Sequence, residues 1–367
     1  MDRRPVQRLA DKQRRLAFAV PGDLATATGG YAYDRRIIHE LRANGWLVDI
    51  VQLGDGFPFP TEAQRAMALA RLSALPEECV VVIDGLAFGV LPELALLRIC
   101  APMLALVHMP LAFDPGLSPI EAARFRESER KALAAATGVI ATSRPVARIL
   151  VAEYGVAPSR LGVVQPGNDK VPATQGNRDG IARILAVGSV VPVKGYDVLI
   201  EALARIPDIA WRFDIAGDRT RDRSTSARIE KAIAVHGLSE RIALLGALSP
   251  QDVTARYVTS DIFVQASRFE AYGMALTEAI AHGLAVVATS AGAIPETVPA
   301  GAGLLVPPDD APALARALRF LISNPEDRLR LGARARLAAA RFPSWADSAR
   351  LFAGILEEAG ASSPPRR

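Results

Sequence analysis

The chain is predicted to fold as two α/β domains of Rossmann type, one after the other, and three observations predict it. At 367 residues it is too long for one ordinary α/β core and comfortable for two. Short apolar runs alternate with longer segments of helical periodicity, the pattern of a parallel sheet with crossover helices. Midway, segment 165–180 interrupts that alternation with Pro166, Gly167, Asn168, Pro172, Gly176, Asn177 and Gly180, after which it starts afresh. The boundary is therefore set near residue 170, with a first half over 1–170 and a second over 171–343.

In the first half the expected strands are 16–20, 48–52, 80–84, 104–108 and 138–142. Thr28-Gly29-Gly30 reads as a flexible turn between the first strand and a helix over 33–44 that stops at Gly45. A second helix, 119–136, carries a charged face of Glu121, Arg124, Glu127 and Arg130. Ser143 and Pro145 open a third over 146–154, which ends at Gly155. The most lipophilic stretch, 79–113, is broken by Asp84, Pro92, Glu93, Arg98 and Pro102. It falls short of the roughly 18 unbroken apolar residues of a membrane span and reads as buried strands separated by a helix.

The second half repeats the design, with strands at 183–187, 211–216, 242–245, 262–265, 285–289 and 303–306. Helices run to 206, to 236 and onward from Ser249-Pro250, and another precedes the strand at 285. Asp309-Asp310 precedes a helix over 311–323 and reads as an N-cap, not a metal pair. Helices over 326–341 and 344–359 follow, the last opened by Ser344. Residues 1–14 are expected to be flexible and 361–367 disordered.

Composition excludes several functions. Aromatic residues make up 6% of the chain and the net charge is +4, little material for a surface that stacks nucleic-acid bases. Two cysteines and four histidines form no disulfide framework or zinc spacing, and both Cys79 and Cys100 read as buried small hydrophobes. A basic N-terminus without an apolar core region carries no signal peptide, so a cytoplasmic protein is expected, at most peripheral at the inner membrane face. Arg3, Arg4, Arg8, Lys12, Arg14 and Arg15 are expected to be a frayed, solvated end, with attraction to anionic lipid or a phosphorylated acceptor as the alternative.

Ligands of open parallel sheets bind beyond the carboxyl ends of the strands. Asp84, His108, Gly188, Ser189, Gly217, Asp218 and Ser267 all fall at such ends. The strongest local signal is 268–283, a loop with Glu270 and Gly273 leading into a helix whose only charged residue is Glu278. A carboxylate on so apolar a helix needs a buried hydrogen-bond partner or access to a cleft. The free backbone N–H groups beside Gly273 offer an anion site for a diphosphate, and Glu278 an acceptor for both hydroxyls of a ribose. Lys194, in the turn 188–195, is placed to touch phosphate. Gly29 and Gly30 permit close backbone approach to a ligand, though an ordinary tight turn reads as well. His108 taken alone is more often structural.

Glu270 and Glu278, with seven residues between them, resemble the E-x7-E motif of the retaining glycosyltransferases of family 4. The stretch 283–296, the run 303–307 and the closing 342–345 continue that family's pattern, as do Gly29-Gly30 and Gly188…Lys194-Gly195. The resemblance implies a GT-B fold: two Rossmann-like domains facing across a cleft, with a C-terminal helix over 344–360 crossing back to the first. It further implies a nucleoside-diphosphate sugar donor, UDP- or GDP-linked, bound by the second domain, and an acceptor bound by the first. Lys194 would neutralise the departing diphosphate, Glu278 hold the ribose, and Glu270 with Tyr272, Gly273, Met274 and Ala275 hold the sugar and distal phosphate. His108 stands where the family has a histidine facing the donor sugar. No cofactor or catalytic metal is implied, and the acceptor, a glycan, lipid or small molecule, is left open.

Two positions depart from the family. Ser189 stands where an arginine usually follows the glycine, and Ala271 where glycine often follows the first glutamate. Arg219, Arg221 or Arg223 is expected to supply the missing phosphate contact. Ser189 also keeps open a non-catalytic relative that binds a nucleotide sugar or activates a partner. An epimerase acting on the nucleotide sugar is a further alternative.

Overall fold

The computed structural model describes residues 14–176 and 179–361. Two six-stranded sheets organise them, every strand pair parallel. The first contains β1 (Arg15–Pro21), β2 (Leu47–Gly54), β3 (Val80–Asp84), β4 (Met103–Val107), β5 (Gly138–Ala141) and β6 (Leu161–Val163), in the order β2-β1-β3-β4-β5-β6. The second contains β7 (Ala182–Val187), β8 (Trp211–Ala216), β9 (Ile242–Gly246), β10 (Ile262–Gln265), β11 (Ala285–Thr289) and β12 (Gly303–Val306), in the order β12-β11-β10-β7-β8-β9. This is the two-domain α/β architecture expected of GT-B proteins.

The strand order fixes where a ligand can enter. In the first sheet the chain steps outward from β1 to β2, then returns to place β3 on the other side of β1. In the second it runs β7, β8, β9 and returns to place β10 beside β7. Loops leaving such neighbours diverge to opposite faces and open a crevice at the carboxyl edge. β3, β4 and β11 are buried along their whole length, as continuous apolar runs covered on both faces should be.

The C-terminal helix Trp345–Ala361 lies on helix Gly29–Ala43 of the first half. Its Trp345, Ala349, Phe352, Leu356 and Ala359 share one core with Leu16, Phe18, Tyr33 and Ile37. Phe352 and Phe18 are stacked with ring centroids 6.5 Å apart. Ser344 caps the helix: its hydroxyl accepts from the Asp347 N–H at 3.2 Å, and the Asp347 carboxylate accepts from the Ser344 N–H at 3.0 Å. Two connections therefore join the halves side by side, tied where the Asn168 N–H donates to the Pro343 carbonyl at 2.8 Å.

Several sequence expectations need correction. Gly29 and Gly30 are the first helical residues and not a flexible turn, because the Thr28 hydroxyl caps the helix by accepting from the Tyr31 N–H. Two single-turn helices, Gly85–Phe88 and Glu93–Leu96, separate β3 from β4 where one helix was expected. Cys79 is buried but Cys100 is exposed, since it lies in the turn after the second of these helices rather than on a packed face. Arg14 and Arg15 are not frayed: Arg14 pairs with Glu357 at 3.0 Å, and Arg15 with Asp49 at 3.2 Å. Arg3, Arg4, Arg8 and Lys12 lie outside the described residues, as do 362–367 of the tail. Among the described residues no helix is long and apolar enough to cross a membrane.

Candidate active site

At the β7/β10 crevice, the turn after β7 is built to bring a lysine over the sheet edge. Pro192–Lys194 forms a single 3-10 turn closed by Gly195, whose φ of 63° is left-handed. A Cβ there would lie 2.1 Å from the Ala266 carbonyl oxygen, so only glycine lets the turn sit against the end of β10. Arg268 staples the same turn, donating to the Pro192 carbonyl at 2.7 Å while pairing with Asp197 and Asp309 at 2.8 Å each. Of the expected Asp309-Asp310 cap, Asp310 alone caps the following helix, by accepting from the Ala313 N–H.

Lys194 Nζ meets Glu270 Oε2 at 2.8 Å. That oxygen also accepts from Ser267 Oγ at 3.2 Å and from Gln265 Nε2. The backbone of Glu270 is pinned as firmly: its carbonyl accepts from the Ala293 N–H at 2.7 Å. Gly292, at φ 56°, packs where a Cβ would stand 2.3 Å from that same carbonyl. Lys194 and Glu270 keep 24% and 14% of their side chains exposed, enough to meet a ligand from a mostly dry wall.

Three residues on, Gly273 at φ 92° opens helix Met274–His282, and among the described residues no side chain caps that end. Tyr272 is buried against the first half, its hydroxyl donating to the Pro166 carbonyl at 3.4 Å and its own carbonyl accepting from Thr297 Oγ1 at 2.5 Å. Burial pushes the Tyr272 phenol up to about 12, with Asn168 acting against it. Met274 packs against the first-half core. Glu278 finds the buried partner its apolar helix requires, for Tyr257 donates to its Oε2 at 3.0 Å. Burial raises its pKa to about 7, opposed by that hydrogen bond and aided by the charge of Asp169.

The facing wall is the β1/β3 crevice of the first sheet. His108 follows β4, and its Nε2 lies 3.0 Å from Asp34 Oδ1 and 3.7 Å from Asp84 Oδ2. Both carboxylates are buried, and Asp34 Oδ2 has no hydrogen-bond partner among the described residues. Burial, then the Asp34 charge, push Asp84 up to about 7 against the pull of His108. For His108, burial works against the cation, but Asp34 and then Asp84 outweigh it and raise its pKa. Gly30 lies against this ring, where a Cβ would stand 3.3 Å from His108 Cδ2. Gly29 has open space at the corresponding position.

Two contacts bring the walls into one cleft. Phe113, in the turn after His108, packs on Phe269, the residue before Glu270, with ring centroids 4.9 Å apart. Arg148 pairs with Glu296 across the same boundary. Ser189 offers a hydroxyl at the turn and no positive charge. Of the three arginines expected to compensate, Arg219 is engaged by Glu230 and Arg223 is exposed at the start of helix Arg223–Val235. Arg221 is exposed and close enough to the first half to lower the Tyr31 pKa.

Sequence reasoning missed Asp34, Gln265, Tyr257 and Asn168. Asp34 left a signal, an acid on the apolar stripe of Ile37, Ile38 and Leu41. The others gave none: Gln265 ends a strand, Asn168 lies in a loop, and Tyr257 reads as the ordinary core aromatic of its helix.

Fold and site together define a family 4 glycosyltransferase-type protein of GT-B architecture. Residues 168–338 match the family described as Glycosyl transferases group 1, and residues 29–170 match Glycosyltransferase Family 4. The two matches run continuously through both halves, and the chain belongs to this family. It is 32% identical over 228 residues to the D-inositol 3-phosphate glycosyltransferase of Corynebacterium efficiens, covering 57% of this chain and 54% of that one. It is 28% identical over 320 residues to the MMP alpha-(1->4)-mannosyltransferase of Mycolicibacterium hassiacum, covering 83% of this chain and 76% of that one. The first of these matches spans about half the length of the relative. Among solved structures, the sucrose-phosphate synthase of Thermosynechococcus elongatus superimposes with a TM-score of 0.79 at 20% identity, covering 95% of this chain and 100% of that one. HepE of Anabaena, solved with UDP and glucose, superimposes with a TM-score of 0.77 at 19% identity, covering 94% and 100%.

Proposed function

We propose that this protein transfers a sugar from a nucleoside-diphosphate sugar, UDP- or GDP-linked, to an acceptor hydroxyl with retention of anomeric configuration. The observation that carries the reading is the Lys194–Glu270 pair, 2.8 Å apart beside the uncapped start of helix Met274–His282. An arriving donor separates the pair usefully. Lys194 and the backbone N–H groups after Gly273 take the diphosphate, and Glu270 turns to the sugar hydroxyls. Glu278 takes the ribose diol. The UDP and glucose bound by HepE and the sugar transfer of the curated relatives support a sugar-nucleotide donor.

As the bond from the anomeric carbon to the phosphate oxygen breaks, negative charge grows on the diphosphate. Fixed donors already aimed at it lower the barrier without reorganisation. The acceptor oxygen attacks from the face the leaving group vacates and passes its proton to the departing phosphate, so no enzymatic nucleophile is required. Lys194 and the helix dipole stand in for a metal. The first half supplies the acceptor wall, and the working compartment is the cytoplasm, with membrane contact no more than peripheral.

Ser189, together with the engagement of Arg219 by Glu230, favours the second reading of a non-catalytic sugar-nucleotide binder. Thermal shifts with UDP, GDP, ADP and dTDP, followed by turnover of the matching sugar conjugates, separate the two. Ligand at about a hundred times its Kd adds roughly 2.7 kcal/mol, a shift of about 2–4 °C for a chain of this size. A selective shift lost in Glu278→Ala is expected. Binding without transfer to any acceptor pool would favour the second reading, and no shift at all would remove the donor site.

A further inference from the structure

Resting on the reading above, we propose that Asp34 is a positioning residue for His108, taking its Nε2–H so that Nδ1 is the atom offered to the substrate. Three features of the geometry point there. Asp34 Oδ1 lies 3.0 Å from Nε2, the Cδ2 and Nε2 edge of the ring is the one covered by Gly30, and among the described residues no protein group bonds Nδ1. A fifth of the side chain stays exposed while Asp34 is sealed from solvent, so the carboxylate reaches substrate only through the imidazole.

The surroundings hold the ring in one place and favour its cation. Tyr33 packs edge-on against it at 5.3 Å, and Thr142 donates to the His108 carbonyl at 3.3 Å. Asp84 approaches Nε2 at 3.7 Å from the end of β3, while its own Oδ1 is occupied by the Leu86 N–H. Glu129 grips the Leu111 N–H of the following turn. Tyr31 senses both buried carboxylates and, across the cleft, Arg221. Two carboxylates around one imidazole favour the imidazolium, whose Nδ1–H donates to a substrate oxygen. Deprotonation turns Nδ1 from donor to acceptor and should end that contact. Activity is therefore expected to fall on the alkaline side as His108 loses its proton.

The test is Asp34→Asn, which keeps the shape and removes the charge. Turnover is expected to drop at least tenfold with the Kd for UDP within twofold of wild type, and the alkaline limb of the pH–rate profile to move down by a unit or more. Nitrogen-15 NMR of the ring should show the same downward move without any substrate. In wild type, the His108 titration should lie above the ordinary value of about 6.5, which keeps the proposal testable if Asp34→Asn does not fold. An Asp34→Asn enzyme with unchanged kcat and pH profile would overturn it. So would a wild-type ring titrating at or below the ordinary value, or ring signals shifted by Mn2+ with activity abolished by EDTA and restored by the ion. Loss of UDP binding in Glu278→Gln alongside an inert Asp34→Asn would leave the donor site standing and sink this inference alone.

Discussion

Glu278 offers the sharpest quantitative test of the donor site. Its carboxyl is buried on an apolar helix and held to a pKa of about 7, burial outweighing the hydrogen bond from Tyr257. A ribose diol needs the ionised form, since both hydroxyls donate and a carboxylate offers about four acceptor sites. Proton and nucleotide therefore compete, and affinity must rise with pH through the window around 7. At pH 6 roughly a tenth of the free protein carries the carboxylate, which weakens binding about tenfold, or ~1.4 kcal/mol. Above pH 8 the effect is saturated. Glu278→Gln cannot ionise, whereas titration of the diphosphate and of His108 is common to both proteins. Isothermal calorimetry with UDP at pH 6 and pH 8.5 should thus find the Kd ratio of variant to wild type widening about tenfold. A ratio constant across that range would show that Glu278 does not hold the ligand through its charge.

Burial raises Glu129 to about 8, with the Leu111 N–H and Tyr154 hydroxyl opposing it. Its folded pKa exceeds the unfolded one, so its stabilising contribution is greatest below about pH 4 and is lost as pH climbs toward 8. Glu129→Gln keeps an acceptor for Leu111 and should gain on wild type by up to about 1.4 kcal/mol per pH unit across that window. Urea curves at pH 5 and 8.5 with identical offsets would discard the idea. Phe352→Ala removes a fully buried ring from the crossing helix and should cost about 3–5 kcal/mol, read as a fall in urea midpoint. A loss under 1 kcal/mol would mean that the helix contributes little to the first-half core. Gly30→Ala brings a methyl to 3.3 Å from His108 and should reduce kcat several-fold while leaving the UDP Kd intact. Equal losses in both would place Gly30 at the nucleotide instead.

Most of the architecture was legible in the chain because its central strands are buried on both faces and so read as unbroken apolar runs, as at 80–84 and 285–289. Short edge strand β6 was not, since its three residues are only partly buried. Helix Glu62–Ser73 was never singled out, although Thr61 and Gln64 form a capping box at its start. The motif residues Lys194, Glu270 and Glu278 could be located because they sit at strand ends or on an otherwise apolar helix. The partners were less legible: Gln265 and Tyr257 acquire meaning only when the fold turns them onto Glu270 and Glu278, and Asp34, an acid on an apolar helix stripe, only when it meets His108. Gly29-Gly30 was misjudged because two glycines favour a turn by propensity, while the Thr28 cap and packing against His108 favour the helix.

The crossing helix also orders events during synthesis. Leu16, Phe18, Tyr33 and Ile37 are made long before the surface that covers them, Trp345 to Ala359. At about 5–20 residues per second, the first half waits roughly 10–40 s for its covering helix. The second sheet has no such debt, its strands and their covering helices through Ala311–Ser323 all arriving before residue 345. The second half should therefore complete its core before the first half does.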